Sequence, residues 1–350
     1  MSSVPSPISA EPAGAAPLRR LMWFTVGYLA FAVLLASLVR GQPGLLFGQM
    51  RMMLGFLSYV LGSWATVLAL ALAVALWVFG AHRVAARARV VAGATLAVVL
   101  MLTAFSLVKT TMPALLPFWA DPALAAVDRA LHGGHDPYAL LHDWAARVGL
   151  PGPRMHGFYL AVWALPAMGL PILLAAFDRD AARIRRFLLL YLFAWPVLGN
   201  VVALAGLSVG PVFYDRLLDT ERFAGLTAAL AASGLADSGL GSIQSLLWRD
   251  HLAGNTSPGS GISAFPSVHV ATATVTALYL AERHRALVVP GVLFLLAILF
   301  FSIYSGYHYA VDGYVSIVLV TAAWALLRRP LSLPAAMRRR VAIAPVGGLR

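Results

Sequence analysis

Apolar runs close to the length of a bilayer-spanning helix recur along this chain and leave it few folds. A helix needs about 20 mainly apolar residues to cross the hydrocarbon core of a membrane. Eight stretches answer to that length: 21–39, 54–80, 90–108, 156–177, 187–209, 266–282, 287–304 and 308–327. Hydrophobic residues make up 60% of the 350 and charged ones 11%, against roughly 25% charged in an ordinary soluble domain. A soluble fold of this length has no interior large enough to hide so much apolar surface. The expected fold class is therefore all-α, a polytopic membrane helical bundle of about eight spans. The run 54–80 exceeds a straight crossing and is expected to tilt.

The ends and the intervals differ in composition. Residues 1–18 are rich in Ser, Pro and Ala and read as a disordered cytoplasmic tail. Residues 19–89 hold two N-terminal spans, 90–327 six more, and 328–350 a basic cytoplasmic tail. No small-residue cleavage site follows the first run, which reads as an uncleaved span. Two polar intervals, 109–155 and 210–265, contain Trp, Tyr, Pro and Gly and are expected to hold short interfacial helices.

The net charge of +12 suggests nucleic acid in a soluble protein, but here topology accounts for it. With eight spans both termini share a side. That side carries 17 basic and four acidic residues, and the other nine and ten. The basic side is cytoplasmic by the positive-inside rule, and both polar intervals face away from it. No nucleic-acid partner is needed. The basic residues are 25 Arg and one Lys, a bias expected of a bacterial genome, which makes the site of residence a bacterial cytoplasmic membrane. Cysteine is absent, which excludes disulfides, thiolate metal sites and cysteine nucleophiles.

Ionisable residues at span ends are costly, roughly 2.5–3.5 kcal/mol for Arg, Lys or Asp at mid-membrane, and so call for a reason. They gather in the last third. Residues 264–270 read Ala-Phe-Pro-Ser-Val-His-Val, and 304–314 read Tyr-Ser-Gly-Tyr-His-Tyr-Ala-Val-Asp-Gly-Tyr. His269 opens the sixth span and His308 the eighth. One helical hairpin separates them, so both are expected at the same depth on the non-cytoplasmic side. His308 and Asp312 are four apart, on one face of a helix. Asp312 can hold one imidazole nitrogen and leave the other free to attack, while His269 donates a proton to a leaving group. Both His stand at helix starts, which favour anions. These residue types allow covalent phosphoryl transfer, and equally a proton relay in a transporter.

Pro266-Ser267-Val268-His269, followed by His308-Tyr309-x-x-Asp312, resembles the second and third signatures of the type 2 phosphatidic acid phosphatase superfamily. The wording Phe-Pro-Ser-x-His and His-Tyr-x-x-Asp is similar to the branch that contains the inositol phosphorylceramide synthases. The resemblance extends over residues 100–327, with the sharp motifs in 264–314. It implies a six-helix core, supplied by the spans from 90 to 327, with no metal and no cofactor. It implies a phosphohistidine on His308, Asp312 as its orienting base, His269 as general acid and Ser267 as a donor to a phosphate oxygen. The partners so implied are a lipid phosphate substrate and a lipid or water acceptor.

The chain also departs from the family pattern. Simple members carry Lys, six residues, then Arg-Pro, and the only Arg-Pro here is Arg329-Pro330, on the cytoplasmic side. They also carry Arg six residues before the nucleophilic His, where this chain has Ser302. Something else must neutralise a phosphoryl transition state. Lys109, at the end of the third span, is one candidate, or else a snorkelling interfacial cation. Tyr214 and Arg216, in Gly210-Pro-Val-Phe-Tyr-Asp-Arg216, are others, or else part of an interfacial belt. Arg249 and His251 are weaker candidates. The loop Gly254–Ser263 reads as a linker, His132-Gly-Gly-His135-Asp136 as a turn, and Asn200 as a helix–helix hydrogen-bonding residue. His156 shares the active face.

Overall fold

The computed structural model describes residues 15–41, 80–150, 162–255 and 261–329, with isolated positions at 47, 48, 51, 54, 55, 58, 73, 74, 76–78, 152 and 159. Most of the run 54–80 falls outside the described residues, as do His156, residues 256–260 of the linker and the tail beyond 329.

Every regular element among the described residues is helical. In chain order they are α1 (Ala15–Arg40), α2 (Ala81–Leu115), α3 (Asp121–Leu131), α4 (Pro137–Arg147), α5 (Leu165–Phe177), α6 (Ala181–Ala205), α7 (Pro211–Leu218), α8 (Ala224–Ala232), α9 (Gly239–Leu252), α10 (Val268–Arg283), α11 (Val288–Tyr304) and α12 (Ala310–Arg328). The two polar intervals hold α3 and α4, then α7, α8 and α9, the short helices expected of them. The N-terminal helix begins at Ala15, so Arg19 and Arg20 lie inside its first turns rather than ahead of it.

Among the described residues, five helices are long and apolar enough to cross a membrane: Ala16–Arg40, Arg87–Leu115, Ala181–Ala205, Arg285–Tyr304 and Ala310–Arg328. The expected span 266–282 appears as the shorter α10, while of the expected span 156–177 residues 156–158, 160 and 161 lie outside the described residues and the remainder leads into α5. Burial explains α10. It runs through the bundle centre against α5, α6, α11 and α12, and residues 270–277 are all buried. Its three threonines return their hydroxyl protons to their own helix: Thr272, Thr274 and Thr276 donate to the carbonyls of Val268, Val270 and Thr272 at 2.8–2.9 Å. A helix shielded from lipid and satisfied in this way need not be uniformly apolar.

α6 widens to π-helical turns over Phe193–Val202, where Pro196 removes an amide donor. Within the stretch, Gly199 lies against the start of α10. A Cβ there would stand 2.6 Å from Val268 and 2.7 Å from Phe105, so only glycine lets the start of α10 press this close. Asn200, next to it, accepts from the Tyr28 hydroxyl of α1, the helix–helix bond expected of it.

The opposite end of α10 is tied by ion pairs. Arg186 on α6 meets Glu282 at 2.7 Å, and Trp324 on α12 donates to the same carboxylate at 2.6 Å. Asp178, between α5 and α6, receives Arg183 at 2.5 Å and the Tyr279 hydroxyl at 3.0 Å. Burial pushes the Asp178 carboxyl up, but the Arg183 guanidinium, the Asp180 amide and Tyr279 outweigh it and hold it at about 2, below its ordinary 3.8. A depressed carboxyl stabilises the fold above its unfolded value, and the contribution is lost as pH falls through the folded one. Asp178→Ala is expected to cost about 3 kcal/mol by stranding a half-buried guanidinium. Thermal scans in detergent should show the parent losing its advantage over the variant between pH 3.8 and about 2.

Candidate active site

His269 is the second residue of α10, and His308 lies two residues ahead of α12. The α10–α11–α12 order returns the chain to the same end of the bundle, and the two imidazoles meet with ring centroids 6.0 Å apart. The matched depth expected from the sequence is therefore met. The shared helix face is not. His308 precedes the N-cap residue Tyr309, so it reaches Asp312 across the helix start instead of along a helical surface.

That contact runs from His308 Nδ1 to Asp312 Oδ2 at 3.3 Å. The same oxygen takes the Tyr309 amide at 3.0 Å, one half of a capping box. Asp312 is fully buried, and its Oδ1 has no hydrogen-bond partner among the described residues. His308 is also buried. Burial pushes its imidazole down to about 3, the Lys109 ammonium acts in the same sense, and the Ala264 carbonyl acts against both. The ring is neutral at physiological pH, the form a nitrogen nucleophile requires.

His269 is half-buried between aromatic rings, 4.0 Å from Trp163 and 4.8 Å from Tyr159 by centroid. Ser267, ahead of it, is fully buried and caps α10, its Oγ accepting from the Val270 amide at 3.3 Å. The Phe265–Pro266 peptide is cis. Lys109 does not end its helix. α2 continues past it through Pro113 to Leu115, leaving Lys109 half-buried, its Nζ 6.0 Å from the Phe105 ring and its charge felt at both imidazoles.

The structure thus joins His269, His308, Asp312 and Lys109. It places Tyr214 and Arg216 elsewhere. Tyr214 packs edge-on against Phe223 at 5.0 Å, and Arg216 is exposed on α7. Arg249 is exposed on α9, and His251 packs between Phe118 and Trp248. His132 spends its ring nitrogens on the Asp128 carbonyl and the Tyr314 hydroxyl, and Asp136 pairs with Arg222.

Two residues that sequence reasoning passed over hold the site in place. Asp121 accepts from the Val209 and Gly210 amides at 2.9 Å and the Tyr309 hydroxyl at 3.0 Å. Asp128 accepts from the Ala310 and Val311 amides, both at 2.9 Å. Burial pushes both carboxyls up, and these donors pull back down. Both point the same way from α3, seven residues or about two turns apart. That spacing was the available signal. The finding corrects one expectation: the helix start beside His308 offers its amides to Asp128, not to a bound anion. Asp128→Ala would strand two buried amides. It is expected to lower stability by about 2–4 kcal/mol and, by loosening the segment that carries His308, to slow turnover at least about tenfold. Asp128→Asn, which keeps one acceptor, should lie between. Tryptophan-fluorescence melts alongside turnover rates would check both.

No curated protein and no solved structure matches this chain. A family model described as the PAP2 superfamily matches residues 122–326, more than half of the 350. The match takes in His269, His308, Asp312 and Asp128; it begins just after Asp121 and well beyond Lys109. Members of that family are phosphatases, which supports an enzyme working on phosphate esters in a membrane. Its motif residues and a bundle that brings them together agree that this chain belongs to the PAP2 superfamily.

Proposed function

We propose that this protein is a lipid phosphotransferase working through a phosphohistidine on His308. It would move a phospho-headgroup from one lipid to the hydroxyl of another, as inositol phosphorylceramide synthases do, at the membrane face away from the cytoplasm. The observation that carries the reading is the meeting of His308, its Asp312 partner at 3.3 Å and His269 at 6.0 Å ring to ring.

With Nδ1–H donated to Asp312, His308 Nε2 attacks phosphorus. The P–N bond forms as the bond from phosphorus to the departing lipid oxygen breaks. That oxygen takes its proton from the His269 imidazolium. An imidazole among aromatic rings gains a counter-ion when the phosphate arrives, so substrate binding favours the charged acid. In the second half the acceptor hydroxyl gives its proton back to His269, its oxygen attacks phosphorus, and the P–N bond breaks. Atoms and protons balance over the cycle, and two alcohols have exchanged one phosphoryl group. Asp312 steadies the positive charge that His308 carries while phosphorylated. The Ser267 hydroxyl and Lys109 are the proposed donors to phosphate oxygens. A water acceptor turns the same cycle into hydrolysis.

Two features favour a phosphodiester headgroup over a monoester. The cations of the simple family pattern are missing, and Lys109 is the cation whose charge reaches both imidazoles. A diester carries one negative charge at neutral pH and needs less neutralisation. The transporter alternative loses support from placement: its sites lie near the midplane, and His269 is in the first turn of α10.

Purified protein would be given a panel of headgroup-labelled phospholipids, with and without ceramide or diacylglycerol. Acceptor-dependent transfer of label is expected. His308→Ala should abolish it, and quenching the parent in denaturant at alkaline pH should trap a base-stable, acid-labile phosphoenzyme that the variant lacks. Release of free headgroup phosphate regardless of acceptor would make the protein a phosphatase. Turnover unchanged in His308→Ala would end the proposed mechanism.

A further inference from the structure

Three buried polar atoms around the histidine pair have no hydrogen-bond partner among the described residues: the Tyr159 hydroxyl, the Tyr307 hydroxyl and Asp312 Oδ1. Leaving such an atom unpaired in a protein interior costs about 1–3 kcal/mol, and native structures rarely gather several without a use for them. These three are neighbours. Tyr159 is 1% exposed and stacks on His269 at 4.8 Å. The Tyr307 ring stacks with that of Tyr159 at 6.1 Å. Tyr307 also directly precedes His308 in the chain, and the Tyr159 phenol is close enough to Tyr307 and Asp312 to feel their charge.

We propose that the Tyr159 and Tyr307 hydroxyls, together with Lys109, form the phosphoryl-oxygen subsite of this enzyme, and that this subsite selects a singly charged phosphodiester. The proposal rests on the phosphotransferase reading and adds its specificity. Two neutral O–H donors and one ammonium supply three hydrogen-bonding groups and one positive charge. That matches the two non-bridging oxygens and single charge of a diester. A doubly charged monoester would bring a second negative charge to a site where, among the described residues, Lys109 is the cation that reaches both imidazoles. Tyrosine also suits the surroundings: a phenol adds a donor to an aromatic wall without the desolvation cost of another cation. In this chain the hydroxyls stand in for cations that the family pattern supplies elsewhere.

The test uses full-length protein in detergent, bis(4-nitrophenyl) phosphate as the diester, 4-nitrophenyl phosphate as the monoester, and orthovanadate as the phosphoryl mimic. Parent, Tyr159→Phe, Tyr307→Phe and the double variant are compared. Each change removes one oxygen and keeps the ring. The parent is expected to favour the diester in kcat/KM by about tenfold or more. Each single variant should lose about 10–100-fold in diester kcat/KM, the worth of a hydrogen bond to a charged group. Because the hydroxyls are unpaired in the empty protein, the melting temperature without ligand should stay level or rise, while the stabilisation by vanadate shrinks.

A merely structural role would do the reverse, lowering the ligand-free melting temperature and leaving the vanadate shift intact, and that result overturns the proposal. So does diester turnover within twofold of the parent in the double variant, or a parent that prefers the monoester. In those cases the phosphohistidine reading stands, since the parent still turns over and still responds to vanadate. A parent with neither turnover nor vanadate shift removes that reading and the subsite together.

Discussion

Two carboxylates accepting backbone amides hold the catalytic end of this bundle together. A helix start exposes amides with no partner in their own helix, and α12 begins in the protein interior next to His308. Asp128 takes the first two of those amides, while Asp121 fixes the 209–210 turn and the Tyr309 hydroxyl. Both acids come from the eleven-residue α3. His308 directly precedes the residues so held, so the placement of its imidazole depends on a helix far from it in sequence. Charge-assisted bonds of this kind are about twice as strong as neutral ones. They resist the sliding that apolar packing alone permits between helices in lipid.

The two ends of α10 are built on different chemistry. At the Arg183 and Arg186 end, guanidinium–carboxylate pairs bind α6, α10 and α12. At the histidine end, Asp121 and Asp128 bond instead to backbone amides. The ends are separated by most of a 16-residue helix, or roughly 20 Å at 1.5 Å per residue. A phosphate anion arriving at the histidine end meets Asp121 and Asp128 already bonded to amides, while Asp312 Oδ1 has no partner among the described residues.

Much of this was legible in the sequence. Run length alone gave the fold class, and His269, His308 and Asp312 declared themselves because ionisable groups at span starts are costly. Other features were hidden for identifiable reasons. Asp121 and Asp128 lie in a short interval helix, where acids are ordinary, and only their seven-residue spacing sets them apart. Lys109 looked terminal because Thr110, Thr111 and Pro113 break the apolar run, yet α2 carries on through them. The π-helical turns of α6 shift the 3.6-residue period by which faces are read. Nothing in the sequence sets Tyr159 and Tyr307 apart, and their unpaired hydroxyls emerge only once the partners are placed. The pairing of His308 with Asp312 was foreseen, but through a helix face that the chain does not use.

The distance in sequence between the anchors and what they hold has a consequence for biogenesis. Asp128 reaches amides 182 and 183 positions downstream, and Asp121 reaches a hydroxyl 188 positions downstream. Contacts of such long range close late, because the intervening chain must be ordered first. Synthesis delivers α3 long before α12 exists. Until the last helix inserts, the two carboxylates have donors only at the 209–210 turn, and the ground under His308 is missing. The active centre is therefore the last part of the molecule to assemble, and a chain cut short before α12 keeps most of its spans while lacking the means to organise a site.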